Sequence, residues 1–207
     1  MGAAKNPMRP VAPLVRDPSE ITTYTGALWR IHRTTGRHRQ RWDELRRFGP
    51  IPTMRWDPHP NPPGDHPAAA VSYAATDVVT AFAEAFQNRR VLTVSADQAL
   101  AGWQPVRPLR LLDLTGSWLL HNHASASLSA GRKDRCRNWS QAIRQTWPDL
   151  DGLWVGSTMT GAPMIVLYQP ALTSFPPSPQ LQRPLDSPVL AGVITHVHNA
   201  VGWPIRA

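Results

Sequence analysis

The sequence predicts a single α+β domain built on mixed or antiparallel sheet, and three observations carry that expectation. Apolar runs of strand length outnumber helical patterns, and they do not alternate with helices as in a doubly wound sheet. The length, 207 residues, suffices for one substantial core but not comfortably for two. An apolar content of 42% with nine Trp supports a packed globule, which 22 Pro divide into short elements and many loops.

Residues 1–20 contain four prolines and read as a tail that drapes over the domain or stays loose, leaving residues 21–207 as the domain itself. Residues 27–32 form a short apolar strand with Arg30 inside it. In the Arg-dense residues 33–47, Trp42, Leu45 and Phe48 offer a thin helical stripe. Residues 58–67 are a loop, because their prolines lack ladder donors. A strand over 69–74 leads to a helix capped by Thr76 or Asp77 and running to about Asn88, with Val78, Val79, Phe82, Ala85 and Phe86 on its core face. Strands over 91–94 and 109–114 flank a loop holding Trp103 and two prolines. A second helix spans 132–147, where Cys136, Trp139, Ile143 and Trp147 recur at helical spacing before Pro148 stops it. Residues 152–157 and 164–168 flank a turn as a buried hairpin. A proline-rich loop over 176–188 precedes a last apolar strand over 189–195.

The net charge is +8, with twenty Arg against only Lys5 and Lys133. Such basicity favours an anionic ligand without choosing nucleic acid over a pyrophosphate. Cys136 is the only cysteine, which excludes an intrachain disulfide and any cysteine cluster for metal and fits a reduced, cytoplasmic setting. Residues 1–14 have no apolar core of the signal-peptide kind, and no apolar run reaches membrane-spanning length. Glycine-rich phosphate motifs and the Gly-x-Ser-x-Gly elbow are absent. Two His-x-His pairs, His121 with His123 and His196 with His198, would each share a strand face, but few carboxylates accompany them and no metal is expected.

Periodicity alone nominates the candidate residues weakly. Arg30 lies among Leu28, Trp29 and Ile31, so it either meets an anion or turns to a wet face; Arg55 is ambiguous in the same way. On a helical wheel Glu84 falls nearly opposite the Phe82–Phe86 stripe, where a solvated Glu also belongs. Ser157 by itself is an ordinary strand-end serine.

Their company changes this reading. In order along the chain stand Leu28-Trp29-Arg30-Ile31, Met54-Arg55-Trp56-Asp57-Pro58, Ser72-Tyr73-Ala74-Ala75-Thr76, Thr80-Ala81-Phe82-Ala83-Glu84 and Asp151-Gly152-Leu153-Trp154-Val155-Gly156-Ser157. These resemble the successive blocks of the RES-domain family over roughly residues 27–170. The family is named for an Arg, a Glu and a Ser, which correspond here to Arg30, Glu84 and Ser157.

The resemblance implies an ADP-ribosyltransferase-like α+β fold and NAD as the molecule attacked. It further implies a bacterial toxin that cleaves the nicotinamide–ribose bond by hydrolysis or phosphorolysis, or a protein ADP-ribosyltransferase of the same fold, with an antitoxin protein covering the pocket. On this reading Arg30 and Arg55 bind phosphate oxygens, Tyr73 stacks on nicotinamide or positions the ribose, Glu84 stabilises the developing cation and Ser157 positions by hydrogen bonding. Met54 stands where the family often has glycine, a departure that implies a narrower rim and speaks for an inactive, partner-binding module. A nucleic-acid-binding module is the remaining alternative. It rests on the eight Arg from Arg30 to Arg55 inclusive, interleaved with Trp29, Trp42 and Trp56, without any helix-turn-helix, zinc-finger or RNP signature.

Overall fold

Strands dominate the computed structural model, which describes residues 5–207. In chain order the elements are β1 (Ile21–Tyr24), β2 (Leu28–Arg33), β3 (Phe48–Gly49), β4 (Gly64–Asp65), β5 (Val71–Ala75) and α1 (Val78–Phe86). There follow β6 (Leu92–Thr93), β7 (Gln98–Trp103), β8 (Leu109–Asp113), α2 (Trp118–His121), α3 (Lys133–Thr146), β9 (Gly152–Gly156) and β10 (Pro163–Tyr168). The chain closes with β11 (Leu181–Pro184), α4 (Ala191–Val201) and β12 (Ile205–Arg206). Eight strands form one mixed sheet in the order β1-β8-β9-β10-β5-β2-β7-β11, and β3 with β4 and β6 with β12 form two small pairs. Only β8 and β9 run parallel within the large sheet, because the segment carrying α2 and α3 joins them as a crossover. The α+β class expected from the sequence is the one observed.

Pairing within the sheet is uneven. β10 pairs with β5 over five residues and β2 with β7 over six, yet β2 meets β5 through the single pair Trp29–Ala75. The sheet therefore consists of two well-paired halves joined by one pair. α2 and α3 cover one half, burying Trp118, Trp139 and Ile143 against Leu112, Leu153 and Val166. On the other half α1 and α4 bury Phe82, Phe86, Ile194 and Val197 against Leu100, with Trp29 and Ile31 packed alongside. The opposite face of the sheet is closed by Trp42, Trp103 and Phe175, whose rings lie 5.4–5.7 Å apart over Leu28, Ala74 and Ile165.

Three expectations are corrected. Residues 33–47 form turns rather than a helix; Trp42 and Leu45 are buried, but by loops that buried polar side chains hold in place. The supposed loop before Pro105 contains β7, an interior strand whose Ala99, Ala101 and Gly102 leave room for neighbours. At Gly102 an added Cβ would stand 2.6 Å from Cζ3 of Trp29, so only glycine admits that ring. The last apolar run is a helix, because Val193, Ile194, Val197 and Val201 follow a 3.6-residue period past Thr195. Gly202, at φ 69°, ends it and donates its N–H to the His198 carbonyl at 2.8 Å.

Over residues 5–20 the chain drapes over the domain. Asn6 is buried and hydrogen-bonded to Ser125 and Ser127, the Trp139 indole donates to the Pro7 carbonyl at 3.0 Å, and the Trp118 indole donates to the Val15 carbonyl at 2.9 Å. No helix among the described residues is long and apolar enough to cross a membrane.

Candidate active site

The helix α1 starts where the Asp77 carboxylate accepts the Thr80 N–H at 2.8 Å. Phe82 and Phe86 turn inward toward α4, which leaves Glu84, partly buried, on the side facing the end of β9. Ser157 stands immediately after β9, is 7% exposed, and donates its hydroxyl to Glu84 Oε1 at 2.6 Å. Its oxygen accepts the Met159 and Thr160 N–H groups at 3.0 and 3.1 Å, which fixes the hydroxyl proton toward the carboxylate. The turn itself is tied to α1 by a 2.8 Å bond between the Thr80 and Thr160 hydroxyls. Glu84 Oε2 accepts from Gln87 Nε2 at 3.0 Å. Among the described residues Glu84 enters no ion pair, so neutral donors alone hold its charge.

Thus two of the three residues that name the resemblance meet, and the third does not join them. Arg30 alternates along β2 with Trp29 and Ile31, which pack under α1, so its side chain projects to the other face of the sheet. There its guanidinium donates to the Glu44 carbonyl at 2.8 Å, the Trp42 carbonyl at 3.2 Å and Gln40 Oε1 at 2.7 Å. Burial lowers its pKa to about 10, against the opposing pull of Glu44 and Asp43. His32, one step further along the same face, binds the Gln40 carbonyl through Nδ1 at 2.9 Å. Together they pin residues 40–44 to the sheet.

Tyr73 lies on β5 with its ring partly buried and its hydroxyl shielded without a hydrogen-bond partner. Burial raises the phenol pKa strongly, and the Asp57 charge adds to the rise. Asp57 is fully buried and accepts from Arg46 Nη2 at 2.9 Å, the Ile51 N–H at 2.8 Å, the His59 N–H at 3.3 Å and the His59 ring. Burial alone would raise its pKa, but the His59 and Ile51 hydrogen bonds and the Arg46 charge outweigh that and hold it at about 2. Arg55 donates to the Gly131 carbonyl and approaches the Cys136 sulfur, which steadies the chain entering α3. Met54 is exposed, and Arg137 donates to its carbonyl at 3.2 Å.

Sequence reasoning missed Gln87 and the Arg46–Asp57–His59 cluster. Gln87 had a usable signal, since it follows Glu84 by three residues at the end of a helix. In the cluster, Asp57 stands in one of the five blocks, but Arg46 had no signal because it meets Asp57 across a loop. The His-x-His pairs do not share a face: His121 ends α2, and His196 and His198 lie two apart on α4, where side chains diverge. The aromatic platform of the nucleic-acid alternative is also missing, since Trp42 and Trp56 are buried and Trp29 packs against the α1–α4 cluster.

A family model described as the RES domain matches residues 27–186. Among solved structures, a chain of the M. tuberculosis MbcT–MbcA toxin–antitoxin complex superposes with a TM-score of 0.55 at 17% identity, covering 85% of this chain and 92% of that one. A search of curated proteins found no match.

Proposed function

The chain belongs to the RES-domain family, and on that footing we propose that it cleaves NAD at the nicotinamide–ribose bond as the toxin of a toxin–antitoxin pair. The 2.6 Å hydrogen bond between Ser157 and Glu84 carries the proposal, because it joins the two residues from segments 73 positions apart. Breaking the bond sends its electron pair to the nicotinamide nitrogen, quenching the positive charge there, and leaves an oxocarbenium-like centre on the ribose carbon. A carboxylate held by neutral donors keeps its full negative charge for that centre. Ser157 serves as a positioner: its hydroxyl donates to the Glu84 carboxylate while its oxygen accepts the Met159 and Thr160 N–H groups, which occupy the lone pairs a nucleophile would use.

The acceptor is water, phosphate or a protein side chain, giving ADP-ribose, its phosphorylated form or a modified protein. Tyr73, whose hydroxyl is shielded, enters this reading only through its partly buried ring, which stacks on the nicotinamide or positions the ribose. Arg30 and Arg55 are the cations that the resemblance assigns to the pyrophosphate, although Arg30 stands on the sheet face away from α1. Each already donates to protein carbonyls, so pyrophosphate oxygens would have to share or replace those acceptors. The structural likeness to a chain of a toxin–antitoxin complex supports an antitoxin as partner.

Incubating the purified protein with NAD, with and without phosphate and with candidate protein acceptors, tests the proposal. Nicotinamide release should fall by roughly a hundredfold or more in Glu84→Gln, which keeps the side-chain shape and removes the charge. Release at the parent rate from that variant would overturn the role of Glu84, and no release from the wild-type protein would overturn the activity.

A further inference from the structure

Gln87 ends α1 one turn beyond Glu84, half-buried, with its side chain folded back along the helix. Its amide nitrogen has two protons, and both are directed to one residue: Nε2 lies 2.8 Å from the Glu84 carbonyl oxygen and 3.0 Å from Glu84 Oε2. With two acceptors around it, that terminus of the amide must be the NH2 group, since a flipped amide would set oxygen against oxygen. Ser157 holds the other carboxylate oxygen at 2.6 Å, so the carboxyl plane is gripped at both ends.

We infer that Gln87 is the positioning residue for Glu84, fixing the orientation of its carboxylate without neutralising its charge. The distinction is chemical. An Arg or Lys at this position would orient the carboxylate as well, but would cancel much of the charge that a cationic transition state needs. A primary amide supplies direction alone. Gln87 thus completes a three-residue unit, Ser157–Glu84–Gln87, in which Glu84 alone is charged. The inference rests on the NAD-cleaving reading above for its catalytic consequence, and on the two hydrogen bonds for its geometry.

Two variants separate positioning from simple capping of the helix. Gln87→Met keeps length and apolar bulk but donates no hydrogen bond. It should lower kcat for nicotinamide release by about tenfold to a hundredfold while leaving KM for NAD within about twofold, as loss of a hydrogen bond to a charged group at a reacting centre predicts. Gln87→Glu supplies a donor only while the adjoining carboxyls share a proton, a state that also retains one net negative charge. Its kcat should approach that of the wild type at acidic pH and fall as pH rises, a descending limb the wild type lacks. A merely structural cap would move stability in both variants, and the like-charge repulsion in Q87E would shift where activity rises but add no descending limb. Q87M at wild-type kcat, or Q87E with the wild-type pH profile, overturns the inference.

The contact is also read without turnover, from the NMR resonances of the Gln87 side-chain amide. These should shift as Glu84 ionises, and E84Q should abolish the movement. Wild-type protein that shows this shift but releases no nicotinamide sinks the NAD reading and leaves the positioning contact standing. Amide resonances that ignore the carboxylate sink the contact itself.

Discussion

Replacing Arg30 by Met separates two descriptions of the same side chain, one as an internal brace and one as a free cation. Arg30 is 8% exposed, and its guanidinium gives its protons to the Glu44 carbonyl, the Trp42 carbonyl and Gln40 Oε1 at 2.7–3.2 Å. Met fills comparable space along β2 but leaves those three acceptors unmet. Stranding one buried acceptor costs about 1–3 kcal/mol, so three would cost about 3–9 kcal/mol if none met water. Water reaching the Glu44 and Gln40 ends keeps the loss near the lower end, at about 3–5 kcal/mol. For a domain of this length that lowers Tm by roughly 6–20 °C. Urea unfolding of R30M, Gln40→Ala and the double variant supplies the assay, because the cycle isolates the Arg30–Gln40 coupling, expected at about 1.5–3 kcal/mol. A loss below about 1 kcal/mol with no coupling refutes the brace. It would mean that the guanidinium is free to meet an anion in solution.

Two further outcomes follow from buried groups. Asp57 has its pKa depressed to about 2, below the ordinary 3.8, so its stabilisation is complete above pH 4 and lost as pH falls through about 2. The shift corresponds to about 2 kcal/mol; urea midpoints between pH 5 and pH 2 should fall less steeply in Asp57→Asn than in the wild type, and parallel curves would contradict the assignment. Gly102→Ala drives a methyl group against the Trp29 ring, 2.6 Å from Cζ3, and overpacking of this kind costs about 1–3 kcal/mol. Differential scanning calorimetry should register a Tm several degrees lower, and an unchanged Tm would show that the ring moves aside freely.

The parts legible in the sequence were those whose physics is local. The helix α3 carries its apolar residues at three- and four-residue intervals and stops before Pro148, so its bounds agree with expectation to within a residue. The hairpin β9–β10 is bounded by its own turn residues. β7 was illegible because its composition, Gln-Ala-Leu-Ala-Gly-Trp, lacks β-branched residues; small side chains there serve the Trp29 ring of a neighbouring strand, a requirement set from outside. The strand expected over residues 189–195 ends at Thr195, short of Val197 and Val201, whose spacing reveals the helical period of α4.

At the site, periodicity placed Glu84 off the core stripe but could not tell water from Ser157, which only the fold brings to it. Arg30 shows the converse limit. A sequence marks a buried arginine as needing partners, and here the partners are backbone carbonyls of a loop, which no residue pattern encodes.

The single pair between β2 and β5 has a mechanical consequence. The two halves of the sheet are plates, each laced by ladders of several pairs, and they share a fold line one residue pair wide. Ser157 rides on the plate of β9, β10 and β5, whereas the aromatic side chains of α1 are bedded with α4 on the plate of β2 and β7. The hydroxyl–carboxylate bond is thus a clasp across the fold line. The Thr80–Thr160 hydroxyl bond spans the same line, so side chains at two points supply the link between the halves that the strands leave to one pair.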